Sequence, residues 1–125
     1  MKLSRDLGRL TLELASEAAG GSKAAARAAL REAVLGTPAG SGTARANWQV
    51  GRDAAPTAVL TEKDPDGLVT IAKGEAVIDA AAPGETLIIA NNLDYIAALN
   101  DGHAGQLAGA FADRALAVAR KTARA

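Results

Sequence analysis

The sequence predicts an α+β fold, a small, mostly antiparallel β-sheet packed with N-terminal and C-terminal α-helices. Three observations carry that expectation. Both ends of the chain are rich in alanine and place apolar residues at helical spacing. The run Thr86-Leu87-Ile88-Ile89-Ala90 is apolar, partly β-branched and bounded by turn residues, as a strand should be. Between these parts, glycine and proline recur often enough to cut the chain into short elements.

Leu3, Leu7, Leu10 and Leu14 step by four, three and four, which predicts a first helix with these leucines on one stripe and Lys2, Arg5, Asp6 and Arg9 off it. Gly20-Gly21 breaks the pattern. Ser22 is placed to cap a second helix over 23–35, where alanines favour helix and Leu30 and Val34 share a face. Gly36-Thr37-Pro38 ends it. Three glycines and a proline in residues 36–43 predict irregular backbone, within a mobile Gly-rich loop over 36–46. Trp48-Gln49-Val50 and Ala58-Val59-Leu60 are short strand candidates.

Asp64-Pro65-Asp66-Gly67 predicts a turn, with Asp66 capping a helix over 68–82 that puts Leu68, Ile71, Ala72 and Ile78 on one side. Gly74 costs that helix about 1 kcal/mol relative to alanine, and Pro83-Gly84 stops it. The near-continuous hydrophobicity of 86–90 predicts a strand covered on both faces. Asn91-Asn92 closes it. A short helix over 94–99 follows, stopped by Asn100-Asp101-Gly102. From 104 to 125 the chain reads as helix again, with Leu107, Phe111, Ala115 and Val118 on one stripe. Arg120, Lys121 and Arg124 gather in its last turns, where cations suit the helix dipole.

Composition bounds what the chain does. With 125 residues it predicts a single domain over 1–125. Fourteen basic residues balance fourteen acidic ones, which argues against a dedicated polyanion binder, since phosphate affinity comes from excess Lys and Arg. The absence of cysteine excludes disulfides and thiolate metal sites, and a single histidine leaves few ways to hold a transition metal, so no cofactor is expected. No apolar run approaches the roughly 20 residues of a membrane-spanning helix, and the first residues lack the apolar block of a secretory signal. Of the apolar residues 32 are alanine, and the aromatics are only Trp48, Tyr95 and Phe111. Such a lean core is compatible with a subunit that gains burial by assembling.

No stretch carries a clear catalytic constellation. The glycine loop before Thr43 lacks the lysine of a phosphate-binding loop and follows a helix instead of a strand, so it reads as a connector. His103 beside Asp101 has no nucleophile assigned by sequence and reads as a solvated turn. Asp64-x-Asp66-Gly67 misses the calcium-loop register and reads as a turn with a helix cap. Arg45, Trp48 and Arg52 fit either a partner-facing cation and aromatic or a core tryptophan under an arginine stem, with the core reading favoured. Arg114, Arg120, Lys121 and Arg124 read as a solvated helix face in preference to a DNA contact.

Two stretches together resemble a family. Thr37-Pro38-Ala39-Gly40-Ser41-Gly42-Thr43-Ala44-Arg45-Ala46-Asn47-Trp48 is similar to a Thr-Pro-Val-Asp-Thr-Gly-x-x-Arg-x-x-Trp signature, and residues 87–103 to a strand followed by Asn-Asn-Leu-Pro-Tyr-Ile and Leu-Glu-x-Gly. Both belong to small tail-completion and neck proteins of long-tailed bacteriophages, of the minor tail protein Z type. Thr37, Pro38, Gly42, Arg45, Asn47, Trp48, Asn91, Asn92, Tyr95, Ile96, Leu99 and Gly102 occupy the family's positions. Gly40, Ser41 and Asp94 depart from its Asp, Thr and Pro, and the 104–111 segment keeps Gln106 and Gly109 but lacks its proline.

The resemblance implies a non-enzymatic virion protein of the head–tail junction, present in the host cytoplasm during assembly. Its subunits would form a ring that completes the tail. Its partners would be itself, the head–tail connector or adaptor proteins and the tail terminator or tail tube proteins, with no membrane and no specific nucleic acid. The 37–43 loop would order against a neighbour, with Trp48 and Tyr95 bracing its base. The rival expectations are a small nucleic-acid-associated accessory protein and a soluble homo-oligomer of another role.

Overall fold

At the N-terminus, alternation wins over the helical stripe. A computed structural model describes residues 1–14, 21–102 and 109–124. In it the first fourteen residues form a β-hairpin, β1 (Lys2–Asp6) and β2 (Arg9–Leu14), where the leucine spacing predicts a helix. Leu7 and Gly8 make the two-residue turn with φ of 51° and 85°, the doubly positive geometry that matches strand twist. Leu10, Leu12 and Leu14 alternate with Thr11 and Glu13, and all three leucines are buried on one face. A helix would have turned Leu12 off the leucine stripe and set Gly8 in its interior.

The sheet has four strands in the order β1-β2-β4-β3, all antiparallel, with β3 spanning Trp48–Arg52 and β4 Leu87–Asn91. β4 is central, and all five of its residues are buried, as its apolar run predicts. Leu87 and Ile89 face the helices. Behind it, Gly51 of β3 has the Ala54 carbonyl oxygen where a Cβ would stand, so the chain after β3 lies directly on the outer face of the sheet.

Helices cover the inner face. α1 (Gly21–Gly36) packs on α5 (Phe111–Arg124), and α3 (Leu68–Ala80) packs on α1 and β3. α2 (Thr43–Ala46) and α4 (Ile96–Asn100) are single turns. Buried residues in α1 and α5 are mostly alanine: Ala25, Ala26, Ala29, Ala33, Ala112, Ala115 and Ala119. Larger side chains fill the middle of the molecule, with Leu30, Val34, Ile78, Ile96 and Phe111 fully enclosed.

Several expectations shift. In α3 the buried stripe is Thr70, Ile71, Gly74 and Ile78, while Leu68 is 61% exposed and Ala72 is exposed. Gly74 brings the helices together, because a Cβ there would meet Leu30 at 2.4 Å. Ala58-Val59-Leu60 is not a strand. α5 begins at Phe111 and buries Ala119 more fully than Val118. The cap role of Ser22, the stripe position of Leu107, and His103 lie outside the described residues or side chains. No helix among the described residues is long and apolar enough to cross a membrane.

Candidate functional site

Thr37 leaves α1 fully buried, and its Oγ1 donates to the Ala33 carbonyl at 2.6 Å. The same oxygen accepts the Trp48 Nε1–H at 2.8 Å. Trp48 is 3% exposed and meets Phe111 edge-on at 6.2 Å between ring centres. Its indole therefore lies inside the molecule, the core alternative of the sequence reading, with its one polar atom satisfied.

Arg45 projects from α2 and closes the turn above Trp48. Its guanidinium donates to the carbonyls of Thr37 at 2.7 Å, Leu35 at 3.0 Å and Pro65 at 2.8 Å. Three carbonyls left open by the end of α1 and the 64–67 turn thus share one cation, a use of the guanidinium fork that lysine cannot copy. Gly42, with φ of 90°, accepts from Ala46 N and Asp64 N on its carbonyl, and a Cβ there would lie within 2.8 Å of Asp64 and Pro65 backbone. Only glycine fits that crossing. Pro38 is half-buried beside it.

Asn47, Asn91 and Asn92 do the work of missing strand pairs. The Asn47 amide donates to Leu60 O at 2.9 Å and accepts from Leu60 N at 2.7 Å, the two-point bond a neighbouring strand would make. It also donates to Thr43 O at 2.8 Å. Asn91 donates to Ala44 O at 3.0 Å and accepts from Leu93 N at 3.2 Å. Asn92 donates to Pro56 O and Ala58 O, and Gln49 donates to Ala58 O at 2.8 Å. These amides hold residues 56–60 in place, which is why that run needs no ladder.

The residues of the two sequence stretches thus come together, with Trp48 opposite Asn91 across β3 and β4. Tyr95 and Gly102 take no part. Tyr95 is 43% exposed, and it makes no hydrogen bond or ring contact with the 37–43 turn that it was expected to brace. Gly102, with φ of 77°, ends α4.

Asp64 is the residue sequence reasoning underused. It is 7% exposed, and its Oδ2 accepts both Thr70 N and Thr70 Oγ1 at 2.7 Å. Burial pushes its carboxyl up, but the Thr70 hydrogen bonds, joined by contributions from Asp66 and Val69, outweigh it and hold the pKa below the usual carboxylate value. Asp66 accepts Leu68 N at 3.0 Å, but the N-cap position is Gly67, without a side-chain cap bond, and the carboxylate that reaches into the first turn at Thr70 is that of Asp64, not of the expected Asp66. The signal for Asp64 was the Asp-x-x-x-x-x-Thr spacing onto the first turn of a helix.

Beside this network, a groove of about 310 Å³ runs between β3, residues 60–64 and α3. Trp48, Val50, Leu60, Val69 and Val77 make its apolar walls, and Glu62, Lys63 and Lys73 also line it. Arg52 pairs with Glu85 at 2.7 Å. The Arg52 hydrogen bond and the Ala82 amide hold the Glu85 carboxyl below its usual pKa. Asp101, the proposed mate of His103, pairs with Arg5 at 3.0 Å. No cluster of three metal-ligating side chains occurs among the described residues. The geometry is that of a buried hydrogen-bond network that fixes irregular backbone. No protein-family model, curated protein or solved structure matches this chain.

Proposed function

We propose that this chain is a structural subunit of a bacteriophage-type particle, sited at the head–tail junction or the head-proximal end of the tail. A ring of subunits completes the tail and joins it to the capsid connector. The role is non-enzymatic. Connector or adaptor proteins lie on one side and tail terminator or tail tube proteins on the other. One observation supports the reading above others: the stretches that resemble tail-completion proteins, separate in sequence, are bonded in space, with Asn91 Nδ2 donating to Ala44 O at 3.0 Å and Trp48 in register with Asn91. A ring needs one face of each subunit to meet a different face of the next. The 37–48 turn, bonded through Thr37 and Arg45, supplies one such face.

Electron microscopy of particles assembled without this protein tests the proposal. Filled heads beside unattached tails are the expected result. Normally joined particles overturn it, as does binding of duplex DNA that weakens by decades between low and physiological salt and so marks a nucleic-acid role.

A further inference from the structure

Among the described residues, the outer strand β1 ends the sheet without a neighbour on its far side. In a two-residue hairpin the pair flanking the turn, here Asp6 and Arg9, exchanges backbone bonds, and the pattern then alternates. Lys2, Ser4 and Asp6 therefore turn their backbone toward β2, whereas Leu3 and Arg5 turn theirs outward. Neither Leu3 nor Arg5 makes a further backbone hydrogen bond among the described residues.

Side chains on this edge follow a sign pattern. On the outer face, Lys2 stands opposite Glu13, Ser4 opposite Thr11 and Asp6 opposite Arg9. On the helix face, Leu3 packs against the core and Arg5 reaches Asp101 at 3.0 Å and Asp113 at 3.7 Å. Four of the five β1 residues are exposed. Read backwards against itself with Ser4 at the centre, the strand Lys-Leu-Ser-Arg-Asp sets Lys2 against Asp6 and Ser4 against Ser4.

From this self-complementarity we infer that β1 is a two-fold docking edge for a second copy of this chain. Antiparallel pairing about Ser4 joins the outward backbone groups of Leu3 to those of the second copy's Arg5, and the reverse, as four hydrogen bonds. It places Lys2 against the second copy's Asp6 twice over. Each outer-face row then alternates in sign across both molecules: Glu13, Lys2, the second copy's Asp6, the second copy's Arg9. The middle row is Thr11, Ser4, Ser4, Thr11, hydroxyls throughout. Charged edges commonly serve to repel neighbouring strands, but this register removes repulsion: on the outer face every facing pair is opposite in charge or neutral, and on the helix face Leu3 stands beside an Arg5 whose charge Asp101 already meets.

The contact is isologous and separate from the head-to-tail contact that closes a ring. The inference therefore stands or falls independently of the junction role.

Sedimentation equilibrium of the full chain and of its variants tests it. Away from the particle, the isolated wild type is expected at twice its 12.5 kDa. K2E and D6K each set like charges face to face at two symmetric places, and each is expected to weaken the dimer about tenfold. An equimolar mixture of K2E and D6K restores opposite charges at both places and is expected to dimerise again. S4C supplies a check of register: across such a non-bonded antiparallel pair the Cα atoms lie about 4.5 Å apart, close enough for a disulfide, and the chain has no other cysteine. S4C should link into dimers under oxidant, and T11C, one strand in from the edge, should not. A monomer at high concentration with no S4C link overturns the inference. So does an assembly that ignores the charge reversals and leaves S4C unlinked, an outcome that leaves the ring untouched.

Discussion

Between α1 and α5 the molecule is held by small apolar side chains, Ala25, Ala26, Ala29 and Ala33 on one helix and Ala112, Ala115 and Ala119 on the other. From Thr37 to Asp64 it is held in another way. There the backbone is mostly irregular, and Thr37, Arg45, Asn47, Asn91, Asn92 and Asp64 bond it at named carbonyls and amides. The first region relies on non-directional contact, which tolerates changes of shape at constant volume. The second relies on directional bonds in which each atom has one correct type, donor or acceptor. Backbone that must keep its shape outside a strand ladder needs the second kind. Chemistry-preserving and shape-preserving substitutions therefore have opposite consequences in the two regions.

Trp48→Ala gives the largest expected effect, because Trp48 belongs to both regions. It fills core beside Phe111 and donates to Thr37. The loss is about 3–5 kcal/mol by thermal or denaturant unfolding. A melting curve like the wild type's, combined with failed tail joining, would break the comparison by making Trp48 a partner contact.

Asn47→Asp sharpens it further. The substitution is nearly isosteric, yet it replaces a donor that serves Thr43 O and Leu60 O with an oxygen that repels both. An expected cost of about 2–3 kcal/mol contrasts with Leu30→Met in the helical core, which keeps volume and costs under about 1.5 kcal/mol. Equal costs for the two, measured by urea unfolding, would erase the distinction.

Legibility in the sequence divides along the same line. Where stability is apolar, element type was readable: β4 from its unbroken hydrophobic run, and α1 from its alanines with Leu30 and Val34 on one face. The N-terminal hairpin was the exception, because Leu3, Leu7, Leu10 and Leu14 suit a helix while Leu10, Leu12 and Leu14 suit a strand. The choice was made by β4, a central strand that needed a partner on each side. In the polar region, spacing carried less. Nothing in Ala58-Val59-Leu60 reveals that side-chain amides from Asn47, Gln49 and Asn92 satisfy its backbone in place of a ladder. The stripe of α3 was misplaced because two of its buried members, Thr70 and Gly74, are not hydrophobic. The inward direction of Trp48 was the favoured reading, but the hydrogen-bond partners of Thr37, Arg45, Asn47 and Asn91 were not legible.

Acid separates the regions a third way. Asp64 has a folded pKa below its ordinary value of 3.8, so the carboxylate's contribution is fully present above that value and is lost as pH falls through the folded pKa. Stability should therefore drop as pH falls below about 4. In Asp64→Asn the neutral oxygen makes weaker bonds to Thr70 at pH 7, but it has no proton to gain. The gap in melting temperature between wild type and variant should narrow as pH is lowered below 3.8. A gap that stays constant from pH 7 to pH 3 would mean that Asp64 acts through shape alone.

The smallest effect belongs to the ion pairs that tie the helices together on the outside. Arg27 meets Asp79 at 2.7 Å, Arg31 meets Glu75 at 3.3 Å and Arg114 meets Glu32 at 3.2 Å, joining α1 to α3 and α5. They resemble the Arg45 cluster in chemistry, since each is an arginine meeting oxygens. They differ in solvent: the Arg27 and Asp79 side chains are 39% and 65% exposed, so water competes for both charges and salt screens them. Arg27→Ala should cost under about 1 kcal/mol, and less still in high salt. Arg45→Ala leaves three carbonyls of a folded turn without their shared donor and should cost more, with little dependence on salt. The two arginines thus make a paired experiment in which identical truncations differ in location. Equal losses with equal salt dependence would show that the 37–48 turn is held by packing, as the helices are, and that its hydrogen bonds only decorate it.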